Sequence, residues 1–223
     1  QKRNKMAQIF FISGIDTDCG KTYITSLIAR NMNTKPYSVI TQKIVQTGCL
    51  AISNDIIEHR KAMGINLLPE DTDGTTCPYV FKFAASPHIA SKIEGRTIED
   101  SILYNSTTKL AQHYDTILIE GVGGLCVPLN DTMLVADYVA KHSFPLVLIS
   151  SSKLGSINHT LLSLELCKQK NIAIHTLVYN IFPHADTTIA ESSFQYISHY
   201  MHVNFPDTHI CTNSDVEQGY SLL

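Results

Sequence analysis

Gln8-Ile9-Phe10-Phe11-Ile12-Ser13-Gly14-Ile15-Asp16-Thr17-Asp18-Cys19-Gly20-Lys21-Thr22 is the stretch from which the rest of this chain is read. Its opening run, Gln8 to Ile12, has the β-branched and aromatic character of a strand. Beyond Thr22, residues Tyr23, Ile24, Leu27, Ile28 and Met32 fall on one side of a helix. Strand, glycine-bearing turn, Gly-Lys-Thr and helix is the layout of a phosphate-binding loop. Each part has a chemical reason. Backbone N–H groups at the start of a helix point at an anion, and the helix dipole favours negative charge there. Gly20 is expected to let the backbone approach phosphates without an intervening Cβ. Lys21 places an ammonium on the β/γ-phosphates, and the Thr22 hydroxyl is a ligand for Mg2+.

The loop departs from the common form. Five residues lie between Gly14 and Gly20, where the usual pattern has four, and Asp16 and Asp18 are among them. Carboxylates repel a triphosphate unless they do something else, such as accepting hydrogen bonds from a substrate amine or holding metal-bound water. The loop therefore suggests a co-substrate with donor groups in addition to a nucleotide.

Working outward, strand-like runs recur at 8–12, 37–41, 116–119, 145–149 and 172–179. Amphipathic stretches separate them at about 20–32, 54–63, 97–113, 133–142 and 156–170, with another near 187–201. This alternation predicts an α/β fold, a mostly parallel central sheet flanked by helices, of the P-loop NTPase kind with a deviant Walker A loop. Residues 6–223 read as one domain. Gln1 to Lys5, ahead of Met6, read as a terminal extension or cloning remnant. The 64–88 region is the longest irregular stretch, and such loops at the carboxyl ends of strands usually carry function. The tail after Asn204 shows no clear element.

Composition narrows the function classes. The chain has 223 residues, is 44% hydrophobic and 17% charged, and carries a formal charge of −3. No basic face is advertised, so nucleic acid and anionic membranes are not the expected partners. No apolar run is long enough to span a bilayer. The six cysteines never form C-x-x-C, which suits reduced thiols in a cytoplasmic protein.

Asp115 to Gly124 is the second informative segment. Residues 116–119, Thr-Ile-Leu-Ile, form a buried strand with Glu120 at its carboxyl end. In a phosphate-loop protein that end faces the nucleotide, so Glu120 can reach Mg2+, and Gly121, Gly123 and Gly124 offer bare N–H groups. Lys43 ends the second strand, in the ligand crevice, where its charge balances phosphate or a carboxylated substrate; a lysine snorkelling from a strand end fits equally. Asp55 follows Ser53-Asn54, either of which can cap a helix. An acid in the first turn suits the dipole, and the alternative is a second Mg2+ carboxylate. After the strand near 145–150, Ser156 can cap a helix whose free N–H groups bind a carboxylate, although capping alone accounts for the pattern.

Together these segments resemble the dethiobiotin synthetase family. Gly14 to Thr22 matches its G-x-D-T-x-x-G-K-T loop, Lys43 to Gly48 its K-x-x-x-[ST]-G motif, and Glu120 to Gly124 its E-G-x-G-G motif. Ser86-Pro87-His88 and Lys153 to His159 match two more. The order holds from about residue 8 to 180. The resemblance implies a homodimer that uses ATP, Mg2+ and CO2 to close the ureido ring of dethiobiotin on 7,8-diaminopelargonic acid. It implies that Lys21 and Lys43 are catalytic, and that Thr22, Asp55 and Glu120 hold Mg2+. Nucleotide contacts would come from Asp18, Cys19, Gly20, Lys21, Thr22, Tyr23, Asp55, Glu120, Gly121, Val122, Gly123 and Asn180. Substrate contacts would come from Thr17, Lys43, Thr47 and Gly124, and from Gly155, Ser156, Ile157 and Asn158 of the partner subunit.

The chain departs from that family in its last quarter. Relatives hold adenine partly through an I-P-x-L-like segment, for which Asn204-Phe205-Pro206-Asp207 is the nearest counterpart here. A tyrosine that reaches the substrate carboxylate in some relatives falls near Ser192, with Tyr196 a turn later. The rival readings are a partitioning-type P-loop ATPase switch and another small-molecule ATP-dependent ligase or kinase. The first carries a second lysine just after the first loop glycine, where this chain has Ile15 and Asp16.

Overall fold

The computed structural model describes residues 6–34, 36–181 and 186–223; the extension expected at Gln1 to Lys5 lies outside them. The strand-like runs become β1 (Gln8–Gly14), β2 (Val39–Lys43), β3 (Thr116–Gly124), β4 (Leu146–Ser151), β5 (Ile174–Asn180) and β6 (His209–Thr212). They form one parallel sheet in the order β2-β3-β1-β4-β5-β6. Parallel neighbours need crossovers, and helices supply them: α1 (Lys21–Met32), α2 (Asn54–Met63), α3 (Pro69–Thr72), α4 (Pro87–Ile93), α5 (Asp100–Ala111), α6 (Val135–Lys141), α7 (Ser156–Gln169), α8 (Thr187–Asn204) and α9 (Asn213–Glu217). The central strand β1 lies between β3 and β4, so the chain leaves it towards opposite edges. A crevice opens at such a switch point, and the phosphate-type loop lies at that end of β1.

Both sheet faces are covered, which is why the strands are apolar without alternation. One face carries Phe11, Ile40, Ile117, Ile119, Leu148 and Tyr179, packed with Leu103 and Leu110 of α5, Tyr138 of α6, Leu164 of α7 and Ile197 of α8. The other carries Phe10, Ile12, Leu118, Val147, Ile149 and Val178 under Ile24, Leu27 and Ile28 of α1 and Val216 of α9. Each fully buried aliphatic side chain contributes about 1.5–3 kcal/mol by leaving water.

Four expectations need correction. The strand expected over 37–41 lies at Val39–Lys43, because Tyr37 turns back onto Thr34. The strand expected to stop before Glu120 continues to Gly124, since β1 accepts pairing as far as Gly14↔Gly124. The region 64–88, expected to be irregular, holds α3 and the start of α4. Its backbone pairs with the end of β2 and the segment after it through Lys43 N to Thr76 O (2.8 Å), Gln46 N to Tyr79 O (2.8 Å) and Phe81 N to Gln46 O (2.8 Å). A buried pair anchors it further: Arg60 Nη2 lies 2.8 Å from Asp71 Oδ1, and Arg60 Nε donates to Asp71 Oδ2 at 2.9 Å. The tail after Asn204 is ordered as β6 and α9. There Thr212 and Asp215 form a reciprocal capping box, a local signal at the start of a short helix.

Candidate active site

The loop between β1 and α1 is held by side chains that donate to its carbonyls. Lys21 is buried, and its ammonium folds back to donate to the Asp16 carbonyl at 2.8 Å. Asp18 sits in the left-handed region with φ 55°. Lys153 Nζ donates to the Asp18 carbonyl at 3.2 Å, and Asn180 Nδ2 to the Cys19 carbonyl at 3.0 Å. Asn180 at the end of β5 thereby reaches the loop. It also gives Gly20 a reason different from the one expected: a Cβ at Gly20 would lie 2.1 Å from Asn180 Nδ2, at a φ of 96° that side-chain-bearing residues rarely adopt.

Beside the loop, strand register does what local spacing does not. In the β2–β3 ladder Lys43 is the partner of Glu120. Lys43 Nζ donates to Glu120 Oε1 (2.9 Å) and to the Gly121 carbonyl (2.8 Å), and lies 2.6 Å from Asp55 Oδ2. Its three protons are therefore directed at three oxygens. Thr22 Oγ1 donates to the same Glu120 Oε1 at 2.9 Å. Asp55 comes from the first turn of α2, whose cap is Ser53: the Ser53 hydroxyl accepts from Ile56 N at 3.3 Å and donates to Gln46 Oε1 at 2.7 Å. Glu120 is fully buried and Lys43 nearly so. Burial raises the Glu120 carboxyl pKa, but the Lys43 charge and the His59 hydrogen bond outweigh it and hold that pKa well below the carboxylate range. For Lys43, burial lowers the ammonium pKa, and the Glu120 and Asp55 charges together reverse this and hold it above the usual lysine value.

These groups line a cleft of about 470 Å³. Of the residues expected there, Thr17, Asp18, Gly20, Lys21, Thr22, Tyr23, Lys43, Asp55, Glu120, Val122, Gly123 and Asn180 line it. Cys19 and Gly121 stand behind, contributing carbonyls to Asn180 and Lys43. Thr47 does not line the cleft; Gln46 does. Gly124 opens instead on an adjacent cleft of about 420 Å³ with Asp16, His159, Leu162 and Leu166. The two loop acids thus diverge, Asp18 to the first cleft and Asp16 to the second. Gly155, Ser156, Ile157 and Asn158 line neither cleft. Ser156 is not the helix cap: its hydroxyl is shared with Ser151 Oγ at 2.7 Å, and Gly155 takes the cap position with no capping side chain.

Two site residues carried no signal in the chain as read. Gln46 belongs to no periodic pattern. His59 lies one turn after Asp55 on α2, so both point the same way, and its Nε2 lies 2.8 Å from Glu120 Oε2. At the far end of the cleft, Tyr23 donates to Glu217 Oε1 at 2.8 Å, and Asn213 Oδ1 accepts from Ile181 N at 2.9 Å. The last segment therefore closes on the α1 side of the site through β6 and α9, not through Asn204 to Asp207. Tyr196 is exposed on α8.

A hydroxyl and two carboxylates are hard oxygen donors, the set that suits Mg2+. Among the described residues, no cluster of three or more His, Cys, Asp or Glu side chains could hold a metal ion. Mg2+ generally takes one or two carboxylates and completes its shell with phosphate oxygens and water. No helix among the described residues is long and apolar enough to cross a membrane.

Comparison with known proteins places this geometry. The family model described as an AAA domain matches residues 8–208. Among solved structures, a plasmid partition protein of Borrelia burgdorferi superposes with a TM-score of 0.58 at 17% identity, over 96% of this chain and 94% of that one. A ParA family ATPase of Chlorobium tepidum gives 0.53 at 15% identity, over 97% and 91%. At these identities the likeness is one of fold. Among curated proteins, the chain is 46% identical over 203 residues to the ATP-dependent dethiobiotin synthetase BioD 2 of Pasteurella multocida, covering 91% of this chain and 95% of that protein. It is 52% identical over 199 residues to the ATP-dependent dethiobiotin synthetase BioD of Chlorobaculum tepidum, covering 89% and 83%. The chain belongs to the ATP-dependent dethiobiotin synthetase family.

Proposed function

We propose a division of labour for the reaction that family membership assigns to this chain, the ATP-dependent synthesis of dethiobiotin, a C–N bond-forming step of biotin biosynthesis. The observation that carries the proposal is the convergence of Lys21, Lys43, Thr22, Asp55 and Glu120 on one cleft. One amine of 7,8-diaminopelargonic acid adds to CO2 and loses a proton, giving a carbamate. A carbamate oxygen attacks the γ-phosphorus of ATP, the bond to the β-γ bridging oxygen breaks, and ADP leaves. The second amine attacks the carbonyl of the mixed anhydride, the C–O bond to the phosphoryl oxygen breaks, and phosphate departs as the ring closes, the amine's proton passing to phosphate or solvent.

In this scheme the loop N–H groups and Lys21 hold the phosphates and stabilise charge on the transferring group. Thr22, Asp55 and Glu120 are the residues that would hold Mg2+, which when bound neutralises the β/γ-phosphate oxygens. Lys43 is the residue assigned to the carbamate and the γ-phosphate. Its ammonium is now neutralised by Glu120 and Asp55, so it can turn to the substrate only when another cation takes its place on those carboxylates. Thr17, Thr47 and Gly124 are assigned to the diamine. Asp16, beside the apolar Leu162 and Leu166, suits an ammonium on an alkyl chain. The substrate carboxylate is assigned to the uncapped start of α7, Gly155 to Asn158, contributed across a homodimer interface. Asn180 is assigned to the base.

The test supplies labelled bicarbonate, ATP and a series of diamines. Label entering a cyclic urea only with 7,8-diaminopelargonate is the expected result; label absent from that product, or entering with any diamine, rejects the assignment.

A further inference from the structure

We propose that His59 is a positioning residue that selects which oxygen of Glu120 faces the metal and nucleotide. The proposal rests on the reading of Glu120 as a metal ligand. Both side chains are fully buried, and His59 Nε2 lies 2.8 Å from Glu120 Oε2. A carboxylate paired with the Lys43 ammonium accepts hydrogen bonds, so Nε2 is the donor. The two carboxylate oxygens are thereby given different work. Oε2 is tied to His59, while Oε1 takes the Thr22 hydroxyl and the Lys43 ammonium, each at 2.9 Å. The terminal torsion of a glutamate is broad and two-fold, so without a partner for Oε2 nothing on the α2 side distinguishes the two oxygens. α2 thus carries one expected ligand, Asp55, and one turn later the clamp on the other.

A simple packing role does not explain this residue. His59 Nδ1 is buried with no hydrogen-bond partner among the described residues. Leaving a buried polar atom unpaired is unfavourable, and a leucine would fill a comparable volume without it. The ring is kept for its Nε2 contact. Partners behind a metal ligand fix its orientation, and their loss typically weakens metal affinity or activity 10–100-fold.

The experiment measures Mn2+ binding in the presence of ADP, from the electron paramagnetic resonance signal of free Mn2+, for the parent, E120Q, H59L, H59N and H59Q. The glutamine amide nitrogen can take the place of Nε2; the shorter asparagine cannot reach Oε2. H59L and H59N are expected to weaken Mn2+ roughly 10–100-fold, with H59Q close to the parent and the KM for the diamine unchanged. Parent-like binding by H59L or H59N, or H59Q no better than H59N, overturns the positioning role. Should H59L fail to fold by circular dichroism, the contrast between H59N and H59Q still decides. If E120Q itself binds Mn2+ like the parent, the metal-ligand reading fails, and the positioning role with it; that outcome is distinct from weakened E120Q beside parent-like H59N.

Discussion

Replacing Lys43 by methionine probes the most heavily used contact in the site. Methionine keeps most of the side-chain volume and removes the charge, so the loss is electrostatic. Glu120 is fully buried and the Asp55 side chain is 22% exposed. Removing one member of a buried ion pair typically costs about 3–5 kcal/mol, because the remaining charge is stranded. The lower end applies here, since Glu120 keeps the hydrogen bonds from Thr22 and His59. At about 2–4 °C per kcal/mol for a chain of this size, K43M should melt about 6–12 °C below the parent in EDTA. Mg2+ should then stabilise K43M more than the parent, because the ion meets carboxylates that no ammonium occupies; at 100-fold over its Kd the gain is about 2.7 kcal/mol. Turnover should be lost, with nucleotide affinity within roughly tenfold of the parent, about 1.4 kcal/mol. The assay is thermal unfolding by circular dichroism with EDTA or Mg2+, alongside label incorporation from bicarbonate. K43M melting with the parent in EDTA, or responding equally to Mg2+, refutes the electrostatic argument. Near-parental ring closure refutes the catalytic role.

Two further outcomes follow from the same geometry. The Glu120 pKa is lowered in the folded protein, so its contribution to stability is full above the unfolded carboxylate value of about 4.3 and is lost as pH falls towards the folded value. The Lys43 pKa is raised, so its contribution is full below about 10.4 and is lost only as pH rises beyond that. E120Q should therefore be less stable than the parent at pH 7 by urea unfolding, with the gap narrowing between pH 4 and pH 2; a constant gap would count against the ion pair. G20A should strain the loop by roughly 1–2 kcal/mol at a positive φ and push Asn180 aside. Nucleotide affinity should fall by about tenfold, and an ADP titration matching the parent would reject that role for the glycine.

The helix Asn54–Met63 lies where the sequence put it, at about 54–63; of the two candidate caps the structure uses Ser53, and Gly64 in the left-handed region ends the helix. The tail was not. β6 is four residues long and α9 five, too short for periodicity to declare them, and they are stabilised by packing of Val216 under the sheet. The region 64–88 offered turn residues and no pattern; what orders it is the Arg60–Asp71 pair and backbone pairing to Gln46, contacts between separate parts of the chain.

By itself the sequence determined the phosphate-type loop, the alternation that makes a parallel sheet, and the placement of Lys43 at a strand end, whereas Glu120, expected at such an end, lies within the longer β3. These depend on contiguous residues, and backbone chemistry at a strand-to-helix turn is local. The tertiary structure alone decided that Lys43 lies against Glu120, that Asn180 explains Gly20, and that His59 and Gln46 belong to the site. The Lys43–Glu120 and Gly20–Asn180 neighbours are set by strand order and register, which join residues tens of positions apart; His59 shares a helix face with Asp55, but only the tertiary placement of α2 brings it to Glu120 of β3.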